Sequence, residues 1–241
     1  EVDIANAIDG FAASIDSKTL AETIKRNSAI VNLIIDCSIS MNGTSFAISS
    51  EINEFAKRQA VKAYTTLISL TLFDDEVYPQ FGKLNTRNFN PISPWACPGN
   101  TNIYDALVSA ITPINQTDAN HRLHLVITDG QNGESHHSQE EVQKLITSRI
   151  NCGEHIFLLF NDDHPNSAQD YASSLGIAPS NAVNFNRYGD GIKIIFQTIE
   201  DLLDGLRTTG AVPKDWAKAI QSHAANPQAI KARKTHYLTG K

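Results

Sequence analysis

Several things are scarce in this sequence, and each scarcity closes off a class of function. No apolar run approaches the ~20 residues that a membrane-spanning helix requires. Aromatic residues make up 7% of the chain and do not interleave with basic ones, so no base-stacking platform is expected. A net charge of −6 offers no global attraction to nucleic acid or to an anionic membrane surface, and neither partner is expected. Three cysteines, Cys37, Cys97 and Cys152, are too few and too scattered for a disulfide framework or a zinc cluster. Their odd number points to a reducing compartment, and the expectation is a cytoplasmic protein. The first residues, Glu1-Val2-Asp3-Ile4, show neither the basic start nor the apolar middle of a signal peptide. Two enzyme signatures are missing as well: the nucleophile elbow Gly-x-Ser-x-Gly and the P-loop Gly-x4-Gly-Lys-Ser/Thr.

What is present is an alternation of buried strands and amphipathic helices. At 241 residues the chain can form one large α/β domain with extra segments. Residues 29–36 are almost continuously apolar, as in a central parallel strand covered on both faces. Residues 65–73, 123–128, 156–160 and 182–185 repeat that pattern, and 77–81 reads as a short return strand that Pro79 confines to an edge. Between them, helical spacing predicts helices from Thr44 to about Ala60, over 103–114, from Ser138 to about Ile150, over 167–175 and over 192–207. Ser138-Gln139-Glu140-Glu141 has the form of a capping box, and Asn102 is the expected cap of the helix that follows it. This order predicts a doubly wound, mostly parallel sheet with one antiparallel edge strand and helices on both faces. Residues 1–27 read as a helical N-terminal extension, with Ile4, Ala7, Ile8, Phe11 and Ile15 at helical spacing, 28–208 as the core domain, and 209–241 as a helical and basic C-terminal extension.

In such sheets ligands bind beyond the carboxyl ends of the strands, and three loops there carry oxygen-bearing side chains. Asp36-Cys37-Ser38-Ile39-Ser40 follows the first strand, Gly99-Asn100-Thr101 precedes a helix, and Thr128-Asp129-Gly130 follows another apolar run. Hydroxyls and carboxylates are hard ligands, suited to Mg²⁺, with Mn²⁺ or Ca²⁺ as alternatives, and offer nothing to softer metals. Together the three fragments resemble the metal-ion-dependent adhesion site, or MIDAS, of von Willebrand factor A (VWA) domains, and more specifically the intracellular and prokaryotic members. Phe73-Asp74 ahead of a short hairpin and Tyr104-Asp105-Ala106-Leu107 after the threonine resemble the family too. The likeness covers roughly residues 28–208 and implies a Rossmann-like VWA fold. Ile39 and Asn100 depart from it, standing where glycine is frequent, which bears on loop shape rather than on ligand capacity.

The resemblance implies that Asp36, Ser38, Ser40, Thr101 and Asp129 hold the ion, the hydroxyls directly and the aspartates often through water. With so little negative charge in contact, the ion stays electrophilic and accepts a carboxylate from a partner protein. The implied function is a cation-dependent protein-binding adaptor, not an enzyme. Its partner would present Asp or Glu, within a multiprotein assembly such as those built on AAA-class ATPases. Two rivals stand beside it. One is a scaffold whose metal site is structural or vestigial. The other is a metal-dependent phosphohydrolase of the haloacid dehalogenase type, which needs a second acid two residues after the first, where this chain has Ser38. His136-His137 and Asp162-Asp163-His164 suggest zinc by residue type alone, but the surrounding spacing favours solvated turns. Cys37 reads as a small buried residue, and the basic tail as a solvated face or a disordered end.

Overall fold

The computed structural model describes residues 22–23, 27–41, 43–116, 119–162, 164–226, 228 and 230. The expected N-terminal helices and the basic tail beyond residue 230 lie outside the described residues. Six strands form one sheet in the order β3-β2-β1-β4-β5-β6, from β1 (Ala29–Asp36), β2 (Thr66–Phe73), β3 (Val77–Asn85), β4 (His121–Thr128), β5 (His155–Phe160) and β6 (Ala182–Asn184). All pairs are parallel except β2–β3. Every residue of β1 is buried, which is why its sequence is a continuous apolar run rather than an alternation.

Because side chains alternate across a strand, β1 feeds two cores. Ala29, Val31, Leu33 and Ile35 face one layer, built with Ile48, Ile52 and Phe55 of α1 (Ser45–Ala60) and Ile195, Ile199 and Leu203 of α5 (Gly191–Thr209). Ile34 faces the other, with Leu107 of α2 (Ile103–Ile111), Val142 and Ile146 of α3 (Gln139–Asn151) and Ala172 and Leu175 of α4 (Ser167–Leu175). On the second face, in phase with Ile34, runs a buried polar chain. Asn32 Nδ2 lies 3.0 Å from the Ala110 carbonyl and 3.0 Å from His124 Nδ1, and His124 Nε2 lies 2.8 Å from Glu154. The short helix α6 (Lys218–Ala224) returns to the first layer, with Ile220 buried and the Trp216 ring 4.9 Å from that of Phe157.

The expected strands and core helices are present, with two differences of detail. β3 continues past the expected end at Phe81 to Asn85, because Lys83 takes φ 53° and donates its N–H to Ser69 Oγ (2.8 Å). Two residues there oppose one, a bulge that lets pairing resume at Leu84. Asn102 occupies the N-cap position of α2 but makes no capping bond. Its side chain instead donates to the Asp75 carbonyl and accepts from Glu134 N–H, stitching three loops together. The capping box of α3 is formed by Ser138 and Glu141 as expected. Among the described residues no helix is long and apolar enough to cross a membrane.

Candidate metal centre

The register of the sheet sets the centre. Asp36 pairs with Phe73 on one side, and Ile35 pairs with Ile127 on the other, so β1, β2 and β4 end level. The loops after them therefore emerge side by side at the carboxyl rim, where Asp36, Ser38 and Ser40 meet Asp129.

Asp36 is 1% exposed. Its Oδ1 accepts the Ser38 N–H at 2.8 Å and its Oδ2 accepts the Thr128 hydroxyl at 2.6 Å. Burial pushes its carboxyl above the usual carboxylate range, the bonds from Ser38 and Thr128 oppose that rise, and the negative charge of Asp129 adds to it. Ser38 Oγ and Ser40 Oγ are 3.1 Å apart, and Ser40 Oγ donates to Asp129 Oδ1 at 2.6 Å. A continuous chain of oxygens thus runs from the first loop to the loop after β4.

Thr101 is brought in by backbone bonds. Gly99 N–H donates to Asp74 Oδ2 (3.0 Å), Asn102 N–H to the Asp74 carbonyl (2.8 Å), and Ile39 N–H to the Gly99 carbonyl (3.1 Å). Two close approaches demand glycine here. A Cβ at Gly99 would stand 2.6 Å from Asp75 Oδ2, and one at Gly130 would stand 2.8 Å from Thr101 Oγ1. The second measurement places the Thr101 hydroxyl against the residue that follows Asp129. All five expected ligands therefore gather at one rim, and every donor among them is a hydroxyl or carboxylate oxygen. That donor chemistry fits a hard divalent ion.

Sequence reasoning missed three parts of the centre. Thr128 was legible in principle, as a hydroxyl directly before Asp129. Arg187 was not: it comes from the loop between β6 and α5, and its Nη1 donates to Asp129 Oδ2 at 2.9 Å and to the Ser40 carbonyl. The third is a correction. Cys37 and Cys97 form a disulfide, with Cα atoms 5.5 Å apart, so the expectation of a merely buried Cys37 does not hold, and the argument for a reducing compartment from the cysteine count loses its ground. Two scattered cysteines meet because the loop after β1 and the loop leading to Thr101 converge on Asp74. The Asp74 carboxylate lies with both sulfurs in a cluster spanning less than 4.8 Å, but in a disulfide those sulfurs serve each other.

Among the described residues the histidines do not assemble a second centre. His136 is 93% exposed and its Nδ1 lies 2.9 Å from Asp105, which also accepts the N–H groups of His136 and His137. Burial raises the Asp105 carboxyl, but those bonds outweigh it and hold the group below its ordinary range. His164 N–H donates to Asp162 in a local turn, and Asp163 lies outside the described residues.

No protein-family model matches the sequence, and no curated protein was found to be related to it. Solved structures do match. Proximal thread matrix protein 1 from the mussel byssus superposes with a TM-score of 0.53 at 18% identity, over 73% of this chain and 45% of that one. The same protein with a zinc-occupied MIDAS motif gives 0.53 at 17%, over 75% and 46%. A von Willebrand factor type A protein from Catenulispora acidiphila gives 0.54 at 13%, over 74% and 43%. The chain has the von Willebrand factor A fold. It matches less than half the length of each of these proteins.

Proposed function

We propose that the chain is a protein-binding adaptor whose affinity depends on a divalent cation held by Asp36, Ser38, Ser40, Thr101 and Asp129. The observation that carries this reading is the oxygen chain Ser38–Ser40–Asp129, adjoining Asp36 at the rim where the fold gathers its loops. The zinc found in the MIDAS motif of the mussel protein supports a divalent ion at such a site. Mg²⁺ is the ion we assign by donor chemistry, since hydroxyls and water-separated carboxylates suit a cation that keeps part of its hydration. When bound, the ion supplies a Lewis-acidic position for an incoming carboxylate.

The chain's own residues do the rest. Asp36 anchors the first loop through Ser38 N–H and Thr128. The absence of an acid at position 38 argues for recognition over phosphoryl transfer. Ser40 is exposed, as befits the outer ligand that a partner would approach. Ile39, between the two serines, is 63% exposed, and Phe46 in the first turn of α1 is 73% exposed. These two supply apolar surface for a partner whose Asp or Glu reaches the ion.

The test is capture from a lysate of the source cell in Mg²⁺, in EDTA, and with the Asp36→Ala, Ser38→Ala double variant. A partner retained only by the wild type in Mg²⁺ is the expected result. Equal retention in all three would move the binding surface elsewhere and leave the site structural. Identifying the retained proteins would show whether an AAA-class ATPase assembly is among them.

A further inference from the structure

Arg187 touches the centre at two points and is absent from the five-residue pattern. Its Nη1 donates to Asp129 Oδ2 at 2.9 Å and to the Ser40 carbonyl, and lies 3.8 Å from Met41 Sδ. Its Nη2 lies 3.4 Å from the Tyr188 hydroxyl, with the guanidinium carbon 5.4 Å from the Tyr188 ring centre. The backbone N–H of Arg187 donates to Asn161 Oδ1 at 3.4 Å. The side chains of Arg187 and Asp129 are only 9% and 8% exposed, so this pair is shielded more than a surface ion pair would be.

The division of Asp129 between its neighbours is the informative part. One oxygen, Oδ1, faces the serine hydroxyls through Ser40, while the other, Oδ2, is taken by the guanidinium. Of the two carboxylates in the centre, then, one is already half-neutralised by a fixed positive charge.

We infer that Arg187 is a resident cation of this site, which sets how tightly a divalent ion is held. The inference rests on the metal reading above. Arg187 withdraws charge from Asp129 and repels the ion, so binding is weaker than five bare oxygen ligands would give. The same repulsion leaves the loaded centre with excess positive charge, which favours an anionic partner. Arg187 acts through Asp129 and is in this sense a positioning residue.

The experiment is a Mn²⁺ titration of the wild type, Arg187→Gln and Arg187→Met at fixed ionic strength, with folding checked by circular dichroism. Both neutral variants should bind Mn²⁺ about tenfold more tightly, the scale for removing one charge a few ångströms from a divalent ion. Arg187→Lys, which keeps the charge, should stay near the wild type. Without metal, Arg187→Gln should melt at a lower temperature than the wild type, and Mn²⁺ should raise its melting temperature by more. In the unsubstituted protein, added Mg²⁺ should shift the Arg187 Nε–H signal in a ¹⁵N spectrum, a readout independent of how the variants fold. When the wild type binds the ion, no tightening in the neutral variants or an unmoved Arg187 signal overturns this inference alone. Absence of Mn²⁺ binding to every protein overturns it together with the metal reading.

Discussion

Thr101 is held within contact distance of the chain segment after Asp129 only because position 130 has no side chain. A methyl group there would stand 2.8 Å from Thr101 Oγ1 and 3.3 Å from Thr101 Cβ and Cγ2. Gly130 does not have a positive φ, so alanine is sterically penalised by its neighbour and not by its own backbone. Gly130→Ala should cost about 1–3 kcal/mol of stability through overpacking and weaken metal binding by displacing Thr101. Gly82→Ala is the matched control, since a Cβ there meets nothing within 4 Å. Equal behaviour of the two variants in denaturant unfolding and Mn²⁺ titration would contradict this account. The five residues proposed as ligands could be picked out of the sequence because each sits in a short local pattern beside a strand or helix. Arg187 could not, because it reaches Ser40 across 147 positions and no local pattern marks it.

At the scale of elements, the strands and helices were legible from periodicity, and Pro79 marked the edge strand correctly. The continuation of β3 to Asn85 was not, since the strand pattern stops at Phe81 in sequence while the bulge at Lys83 restores pairing in space. The pairing of Cys37 with Cys97 was hidden for a similar reason, because it depends on two loops meeting across 60 residues. That bond joins the loop bearing Asp36, Ser38 and Ser40 to the loop leading to Thr101. Closing a loop of that length removes unfolded-state entropy worth about 4 kcal/mol. Cys97→Ser should lose stability on that scale in urea unfolding, and wild-type protein treated with a phosphine reductant should lose a comparable amount. Unchanged midpoints in both would show that the bond contributes nothing to the fold.

Over the whole molecule, stability should depend on two histidines at the opposite end of the sheet from the candidate metal centre. His121 and His155 begin β4 and β5. Burial lowers the pKa of both, and for His121 the positive charge of Arg207 and the proximity of His155 add to the effect. A native pKa below the unfolded value of about 6.5 means that the unfolded chain binds more protons as pH falls through that value. The contribution is fully present above about pH 6.5 and is lost as pH drops towards the depressed native values. Urea midpoints should therefore fall between pH 7 and pH 5.5, and fall less in a His121→Gln, His155→Gln variant. An identical pH dependence in the variant would assign the effect to other groups.

The proposed function requires that five oxygen-bearing side chains from three loops hold one divalent ion. Equilibrium dialysis against Mn²⁺ tests it most directly, with wild-type protein beside a Ser38→Ala, Ser40→Ala variant of native circular dichroism. The account predicts one bound ion per wild-type chain, released by EDTA, and none on the variant. Equal binding by both proteins, or none by the wild type, would contradict it.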